Sequence, residues 1–172
     1  MNEYYTLFDP VDYNRSSIID LCDHYDQQNL WDPVYPGINL KSKRSSKDFE
    51  PVAGVQQILN SFQPQLNLTY DRCQLLCFDA GEKGVFHKDT DRSCGILFPV
   101  TPIGETFSHI EFYNEDKNLQ HTVNYSERAI IVNVLQYHNV QVTDVRRINF
   151  QVDFDIPYNE VINMFENGEL FK

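Results

Sequence analysis

The chain has 172 residues, a net charge of −11, and a composition that is 41% hydrophobic and 13% aromatic. This length and composition predict a single folded domain and exclude a disordered chain. The negative charge disfavours nucleic acid and anionic membranes as partners, because both require concentrated positive charge on the protein surface.

Cysteine spacing and the absence of targeting segments predict the compartment. The cysteines Cys22, Cys73, Cys77 and Cys94 fit neither a CxxC zinc ribbon nor a small disulfide-stapled domain, so we interpret them as buried free thiols. The stretch "MNEYYTLFDP" lacks the basic and apolar regions of a signal peptide, and the apolar run at 129–135 is too short to cross a bilayer. We therefore expect a soluble, cytoplasmic protein.

The first third of the chain has helical patterns. Residues 16–28 begin with two serines that can cap a helix, and their apolar side chains recur at helical spacing. Residues 50–62 have a proline in the first turn and one apolar stripe. We predict two helices here and interpret residues 1–64 as a helical N-terminal support.

A cluster of basic side chains lies between these helices, at Lys41, Lys43, Arg44 and Lys47. The interpretation we favour is a solvated, mobile loop. The alternative is a basic lip that receives an acidic substrate or partner.

From residue 65 onward the pattern changes to short strands separated by turn residues. The predicted strands are "QLNLTY", "CQLLCFD", "GVFHKD", "CGILFPV", "TFSHIEFYN", "HTVNY", "AIIVNVL", "HNVQV" and "RINFQVDF". Such a succession without intervening helices predicts a β-barrel or β-sandwich core over residues 65–156. An amphipathic stretch at 159–170 predicts a helix in the C-terminal segment 157–172, within the same domain.

His87 and Asp89 are candidate metal ligands. Residues two apart in a strand point to the same face, so the imidazole and the carboxylate can be aimed at one point. A mononuclear catalytic site needs a third ligand and open positions on the metal. His138 is the candidate third ligand, because it opens a strand that precedes another functional candidate.

The other histidines have simpler interpretations. His24 lies between acidic residues of the first predicted helix and is expected at the surface. His109 and His121 alternate within strands and are expected to be packing or hydrogen-bonded residues without a catalytic role.

The last predicted strand alternates cleanly between two faces. The apolar face, expected to pack under the helices, consists of Ile148, Phe150, Val152 and Phe154. The polar face, expected to point into the barrel, consists of Arg147, Asn149, Gln151 and Asp153. An arginine in a barrel interior is costly unless an anion meets it, and its planar fork suits a carboxylate. The alternative is that Arg147 pairs internally with Asp153 or Glu111.

The order His87-x-Asp89, His138, Arg147, each on a predicted strand, resembles the Fe(II)/2-oxoglutarate-dependent oxygenase family. The resemblance covers residues 70–155 and is to the prolyl hydroxylase-like and aspartyl/asparaginyl hydroxylase-like members. It implies a double-stranded β-helix core (jelly-roll, cupin-like) in which His87, Asp89 and His138 bind Fe(II). It further implies that Arg147 holds the distal carboxylate of 2-oxoglutarate. Asn149 stands where the family often has a serine, and is assigned a contact with 2-oxoglutarate.

A second element upstream adds to the resemblance. Phe78-Asp79-Ala80-Gly81 is similar to an aromatic-x-x-Gly element that precedes the HxD motif in these families. Many prolyl hydroxylase-like members have a tyrosine at the position of Phe78 and use its hydroxyl on 2-oxoglutarate. Phe78 has no hydroxyl, so either another group assists Arg147 or none does.

Two charged residues follow the HxD motif. Asp91 is an alternative to Asp89 as the carboxylate metal ligand, because it lies on the same strand face. We expect Asp89 to be the ligand, because the shorter spacing brings it beside His87, and Asp91 to orient a ligand instead. For Arg92 we favour a surface position over one at the mouth of the pocket.

The resemblance implies a dioxygenase that uses Fe(II), 2-oxoglutarate and O2. Its expected reaction is hydroxylation of a C–H bond in a peptidyl or free amino-acid substrate, with release of succinate and CO2. Two alternatives stay open: a cupin-type metal enzyme that does not use 2-oxoglutarate, and a non-enzymatic β-barrel binding module in which the histidines only pack. The expected partners are accordingly a small-molecule co-substrate and a peptide or amino-acid-like substrate.

Overall fold

The computed structural model describes residues 2–9, 14–33, 40–46, 57, 66–82, 84–101, 109–125, 128–141 and 144–172. The predicted helix at 50–62 lies, apart from Gln57, outside these residues. Among the described helices, none has the length and apolar character needed to cross a membrane.

The described residues form ten strands and two longer helices. The strands are β1 (Tyr5–Phe8), β2 (Asp32–Pro33), β3 (Leu40–Ser46), β4 (Arg72–Phe78), β5 (Cys94–Thr101), β6 (His109–Tyr113), β7 (Leu119–Asn124), β8 (Ala129–Asn133), β9 (Tyr137–Val140) and β10 (Arg147–Phe154). The helices are α1 (Arg15–Gln27) and α2 (Tyr158–Glu166).

The strands form two antiparallel sheets. The larger has seven strands in the order β1-β8-β5-β10-β4-β3-β2, and the smaller has three in the order β7-β6-β9. Strand β10 is central in the large sheet, with β5 on one side and β4 on the other. Its two faces therefore belong to two different layers of the molecule.

The outer face of the large sheet packs against the helices. Ile148, Phe150, Val152 and Phe154 of β10 are all buried in one apolar cluster. The same cluster includes Ile18 and Cys22 from α1 and Val161 and Ile162 from α2. The predicted apolar face of the last strand, and its packing under the helices, are confirmed.

The inner face of the large sheet meets the small sheet. Leu97 and Ile130 of the large sheet share a second buried cluster with Ile110 and Phe112 of the small sheet. This arrangement of facing antiparallel sheets confirms the prediction of a mainly β core with flanking helices, and it places the polar face of β10 between the two sheets.

The helix ends follow from capping residues. Helix α1 begins after Asn14, whose side-chain oxygen accepts a hydrogen bond from the backbone N–H of Ser17, so Asn14 rather than the predicted serines is the cap. Helix α2 covers Tyr158–Glu166 and is shorter than the predicted 159–170. Gly168 has a φ of +71°, a conformation that glycine adopts readily and that ends the helix here.

The first third of the chain also supplies strands that the sequence did not predict. Strand β1 pairs with β8 at one edge of the large sheet. Residues 40–46, for which we favoured a mobile loop, form β3 and pair along β4. Of the predicted strand at 65–70, only Leu66 pairs, in a single bridge with Phe171.

The four cysteines are buried and unpaired, as predicted.

Candidate active site

Residues 84–89 run antiparallel to β9 and bring the two candidate histidines together. His87 and His138 exchange both backbone hydrogen bonds, at 3.0 and 2.8 Å between nitrogen and oxygen. The backbone N–H of Gly84 donates to Val140 at 2.8 Å, and a Cβ at this glycine would lie 2.9 Å from the Cβ of Val140. The segment can therefore approach β9 this closely only because residue 84 has no side chain.

Directly opposed residues in an antiparallel pair present their side chains on the same face. The rings of His87 and His138 accordingly lie with their centroids 4.4 Å apart. Asp89, two residues after His87, points to the same side, and its Oδ1 is 3.4 Å from His87 Nε2. One potential ligand atom from each of the three residues lies within 4.8 Å of the others. Among the described residues this is the one such group of three or more potential metal-ligating side chains.

Backbone carbonyls hold both imidazoles in one tautomer. The Nδ1 of His87 contacts the carbonyl oxygen of Val85, and the Nδ1 of His138 lies 2.9 Å from that of Gln136. Because a carbonyl oxygen only accepts, each Nδ1 must carry the proton, so Nε2 is the atom that has the lone pair in the neutral ring. The two Nε2 atoms are therefore the available ligand atoms.

The protonation states of His138 and Asp89 suit a cation-binding group. Burial lowers the pKa of His138 to about 4, so its imidazole is neutral at physiological pH. Burial also acts to lower the pKa of His87, but hydrogen bonds with Asp89 and Val85 outweigh it and raise the pKa. Although burial opposes it, His87, Arg92 and His138 hold the pKa of Asp89 well below its usual range. Asp89 is thus a carboxylate, and in the metal-free protein His87 is its partner.

Arg92 lies inside the molecule, and our preference for a surface position was wrong. Its side chain is 11% exposed, and its Nε and a terminal nitrogen donate to Asp89 Oδ2 at 2.7 and 2.6 Å. The other terminal nitrogen contacts Asp153. Since Oδ2 is held by Arg92, the Oδ1 of Asp89 is the oxygen left facing the histidines.

Asp153 anchors this arginine. It is fully buried, and besides Arg92 it accepts from Arg72 Nε at 2.9 Å and from Gln151 at 2.6 Å. Burial raises the pKa of Asp153 despite the opposing effect of the two arginines. A Cβ at Gly95 would lie 2.9 Å from Asp153 Oδ1, so this glycine leaves room for the carboxylate. A chain of ion pairs thus runs from the inner face of β10 to Asp89.

Asp91 pairs with an arginine, and no hydrogen bond from it to either histidine is found among the described residues. Its side chain is 61% exposed and pairs with Arg72 at 2.8 Å. Arg72 in turn pairs with Asp153, which links Asp91 to the chain of ion pairs that ends at Asp89.

A cavity of about 230 Å³ lies between the sheets, with His87, Asp89 and His138 in its wall. This is below the roughly 300–1,000 Å³ of pockets that bury drug-sized ligands, so it suits a smaller molecule. One part of the wall is polar and formed by Arg72, Gln74, Arg92 and Gln151, with Asp91 beside them. Another part is apolar and formed by Leu76, Phe78, Leu97, Ile110, Val132, Val134 and Val140, with Gly84 and Asn149.

Arg147 is buried on the same face of β10 as Asn149 and Gln151, and is 1% exposed. Its Nε and both terminal nitrogens have no hydrogen-bond partner among the described residues. Its Cζ lies 4.2 Å from the ring centroid of Phe78, which stands opposite it on β4 and lines the cavity. The ring contact offsets part of the cost of burial but satisfies none of the N–H groups. Arg147 itself is not among the lining residues.

Asp153 and Glu111, the two possible acidic partners of Arg147, are engaged with other residues. Asp153 pairs with Arg72 and Arg92, and Glu111 accepts hydrogen bonds from Tyr113 and Gln141. Burial lowers the pKa of Arg147, as expected for a cation that lacks an acidic neighbour. Among the described residues, the site therefore has a buried guanidinium and no anion to meet it.

Asn149 and Tyr125 form a second polar pair near this arginine. The amide nitrogen of Asn149 donates to the hydroxyl oxygen of Tyr125 at 3.1 Å, and both side chains are 1% exposed. The amide oxygen of Asn149 has no partner among the described residues. Tyr125 was not predicted as a functional residue, although its alternation with Val123 in "HTVNY" is the signal that it points inward.

The remaining histidines lie outside the group. His24 is on the exposed face of α1, His109 is half-buried on β6, and His121 is exposed on β7 beside the rings of Tyr4 and Tyr5.

No protein-family model matches the sequence, and no curated protein matches it. Similarity is found with solved structures. A prolyl hydroxylase from Trichoplax adhaerens, solved in complex with a hypoxia-inducible factor oxygen degradation domain peptide fragment, aligns with a TM-score of 0.62 at 10% identity and covers 89% of this chain and 84% of its own. A 2OG-Fe(II) oxygenase family protein from Burkholderia pseudomallei aligns with a TM-score of 0.56 at 14% identity, over 87% and 82% of the two chains.

A viral collagen prolyl hydroxylase from Paramecium Bursaria Chlorella virus-1, solved as its 2OG complex, aligns with a TM-score of 0.51 at 13% identity, over 87% of this chain and 94% of its own. The chain therefore has the fold of the 2-oxoglutarate- and Fe(II)-dependent oxygenases. The predicted double-stranded β-helix core is confirmed.

Proposed function

We propose that this protein is an Fe(II)- and 2-oxoglutarate-dependent dioxygenase that hydroxylates a C–H bond of a peptidyl or free amino-acid substrate, with release of succinate and CO2. The observation that carries the proposal is Arg147, a buried guanidinium without an anionic partner among the described residues. It lies in the same barrel as three convergent metal-ligand atoms. A buried cation without a partner costs stability, and a carboxylate ligand would supply the missing partner.

The iron ligands in this proposal are His87, Asp89 and His138. Two neutral imidazole nitrogens and one carboxylate oxygen on one side of a cavity fit the two-histidine, one-carboxylate donor set of non-haem Fe(II) oxygenases. When bound at such a set, Fe(II) supplies the oxidation of a substrate C–H bond coupled to the oxidative decarboxylation of 2-oxoglutarate. The protein supplies binding, orientation and exclusion of water.

The chain orients each proposed ligand through a second contact. Backbone carbonyls of Val85 and Gln136 hold the protons on the Nδ1 atoms, and Arg92 holds one oxygen of Asp89. Such contacts keep the donor atoms aimed at one point and prevent the rings from rotating. They also keep both imidazoles in the tautomer that binds a cation.

The proposed co-substrate site is the apolar part of the cavity near Phe78. Arg147 supplies a fork of N–H donors for the distal carboxylate of 2-oxoglutarate, and Asn149 supplies amide contacts beside it. The viral prolyl hydroxylase with the same fold was solved as a 2OG complex, which supports this choice of dicarboxylate.

The proposed substrate enters over the polar part of the wall. There the exposed Asp91 pairs with Arg72, and Gln74 has a buried amide oxygen without a hydrogen-bond partner among the described residues. Polar groups of this kind suit a peptide backbone or an amino-acid substrate. The Trichoplax prolyl hydroxylase with the same fold was solved with a peptide fragment, which supports a substrate of this class.

A two-stage experiment tests the proposal without knowledge of the substrate. The protein is loaded with Fe(II) under anaerobic conditions and 2-oxoglutarate is added; a visible absorption band should appear, and succinate should form when oxygen is admitted. His87→Ala, Asp89→Ala and His138→Ala should each abolish the band. Arg147→Met should bind 2-oxoglutarate more weakly, so a higher 2-oxoglutarate concentration should be needed to produce the band.

The alternatives give different outcomes. Stoichiometric iron binding would favour a metal enzyme that does not use 2-oxoglutarate if no visible band forms with 2-oxoglutarate and Arg147→Met leaves the spectrum and the iron binding unchanged. Absence of stoichiometric metal binding would overturn the proposal in favour of a binding module.

A further inference from the structure

Position 78 leaves the proposed co-substrate site one donor short. Phe78 carries no hydroxyl where prolyl hydroxylase-like proteins often have a tyrosine, and its ring instead lies against the guanidinium of Arg147. A carboxylate has two oxygens with about four acceptor sites, more than one guanidinium fork satisfies. A buried carboxylate that lacks donors on its remaining acceptor sites would bind weakly.

Tyr125 carries a buried hydroxyl that can supply the missing hydrogen-bond donor. The side chain is 1% exposed and lies in the cluster between the two sheets, at the end of β7. Its oxygen accepts a hydrogen bond from Asn149, which is two residues from Arg147 on the same face of β10. Its O–H hydrogen has no acceptor among the described residues.

The bond with Asn149 limits what the hydroxyl can do. The amide nitrogen of Asn149 already donates to the phenol oxygen of Tyr125. The hydroxyl proton of Tyr125 is therefore still able to donate a hydrogen bond and needs an acceptor. Burial deprives that proton of water, so leaving it unpaired costs free energy.

We propose that Tyr125 donates a hydrogen bond to the same distal carboxylate that Arg147 pairs with, and so supplies the hydroxyl that Phe78 lacks. This inference rests on the proposed function, because it assigns a further residue to the same 2-oxoglutarate site. Asn149 then acts as a positioning residue that fixes the phenol oxygen. The three side chains reach the site from two sheets: Arg147 and Asn149 from β10, and Tyr125 from the end of β7.

The test compares two tyrosine-to-phenylalanine variants. Tyr125→Phe removes only the hydroxyl and keeps the ring that packs between the sheets. Tyr158→Phe is the matched control, since Tyr158 is also buried and hydrogen-bonded, to Thr6 and to the backbone of Asn2, but packs with the helices on the other face of the large sheet. Binding of Mn(II), and then of 2-oxoglutarate to the Mn(II)-loaded protein, is measured by titration calorimetry for all three proteins.

The expected result is that Tyr125→Phe weakens 2-oxoglutarate binding about tenfold, the effect of losing one hydrogen bond to a charged group. Mn(II) affinity should stay unchanged, and Tyr158→Phe should bind 2-oxoglutarate as the wild type does. Unchanged 2-oxoglutarate affinity in Tyr125→Phe would overturn the inference and leave the proposed function standing. A parallel loss of Mn(II) and 2-oxoglutarate binding would assign Tyr125 a packing role only. If the Mn(II)-loaded wild type does not bind 2-oxoglutarate, the proposed function fails, and this inference with it.

Discussion

His87 and His138 are directly opposed across a single antiparallel bridge, and each donates its backbone N–H to the carbonyl oxygen of the other. This pairing brings two residues that are far apart in the chain to a ring separation of 4.4 Å. The side-chain group is therefore a direct consequence of backbone pairing between residues 84–89 and β9, and its integrity depends on that pairing.

Removal of any one of the three converging side chains should abolish tight metal binding. His87→Ala, Asp89→Ala and His138→Ala each delete one of three donor atoms. The loss of Mn(II) or Fe(II) affinity should exceed the roughly 10–100-fold that altered outer contacts typically cost. His109→Ala is the control, since His109 lies on β6 outside the group. Titration of the metal by calorimetry measures the effect, and equal metal binding by a triad variant and the control would contradict the assignment.

Arg92 should set how well Asp89 holds a metal. In Arg92→Lys the positive charge remains, but the two-nitrogen grip on Asp89 Oδ2 is lost. We expect metal affinity to fall about 10–100-fold with the fold retained. Arg128→Lys is a matched control, because Arg128 is 49% exposed and pairs loosely with Asp9. The comparison is made by metal titration, with circular dichroism to check folding. An Arg92→Lys variant that binds metal as the wild type does would show that Asp89 needs no such support.

Arg147 and its neighbour Arg146 should respond in opposite directions to the same substitution. Arg147→Met removes a buried cation without a described partner, so the ligand-free protein should gain stability, by about 1–3 kcal/mol. Arg146 pairs with Asp23 and Asp26 at the surface, so Arg146→Met should lower stability by less than about 1 kcal/mol. Chemical denaturation measures both effects.

The two variants should also differ in their binding of 2-oxoglutarate. Arg147→Met should lose 2-oxoglutarate binding, whereas Arg146→Met should retain it. A gain in stability together with a loss of binding is expected of a residue kept for its ligand rather than for the fold. A destabilised Arg147→Met protein would instead indicate that the guanidinium is paired within the chain.

The metal-free protein should lose stability as the pH falls below neutrality because of His138. Its pKa is about 4 in the folded protein against an ordinary value of 6.5. The unfolded chain therefore takes up a proton between pH 6.5 and pH 4 that the folded chain does not, and the free energy of unfolding decreases across that window. Each pKa unit corresponds to 1.36 kcal/mol, so the full loss is about 3 kcal/mol.

Chemical denaturation of the wild type and of His138→Gln at several pH values between 7 and 4 checks this prediction. The wild type should lose more stability than the variant as the pH falls. His87, whose pKa is shifted upward and whose contribution has the opposite sign, is present in both proteins. Parallel stability curves for the two proteins would contradict the prediction.

The inward face of β10 could be predicted because it follows from local alternation. Once residues 147–154 form a strand, Arg147, Asn149 and Gln151 must share one face, and Ile148 and Phe150 the other. The same period places His87 and Asp89 on one side. These assignments need no knowledge of neighbouring strands, and the structure agrees with them.

Arg92, Tyr125 and β3 could not be predicted in the same way. Arg92 is three residues beyond Asp89, and the local sequence does not show that it is buried. Its burial depends on the ion pair with Asp153 from the last strand. Tyr125 reaches Asn149 from another sheet. The stretch at 40–46 is too polar to predict a strand, and it becomes one because β4 offers it a row of hydrogen-bond partners.

The amino-acid sequence is enough to identify the residues of the proposed site and the strand faces on which they lie, because side-chain alternation is a local property of the backbone. The order of His87, Asp89, His138 and Arg147 was enough to predict the fold. Which side chains meet depends on the folded arrangement of the strands. The examples are the pairing of residues 84–89 with β9, the ion pair of Arg92 with Asp89, and the hydrogen bond between Tyr125 and Asn149. These contacts join distant parts of the chain through strand pairing and sheet packing, and no local pattern specifies which strands become neighbours.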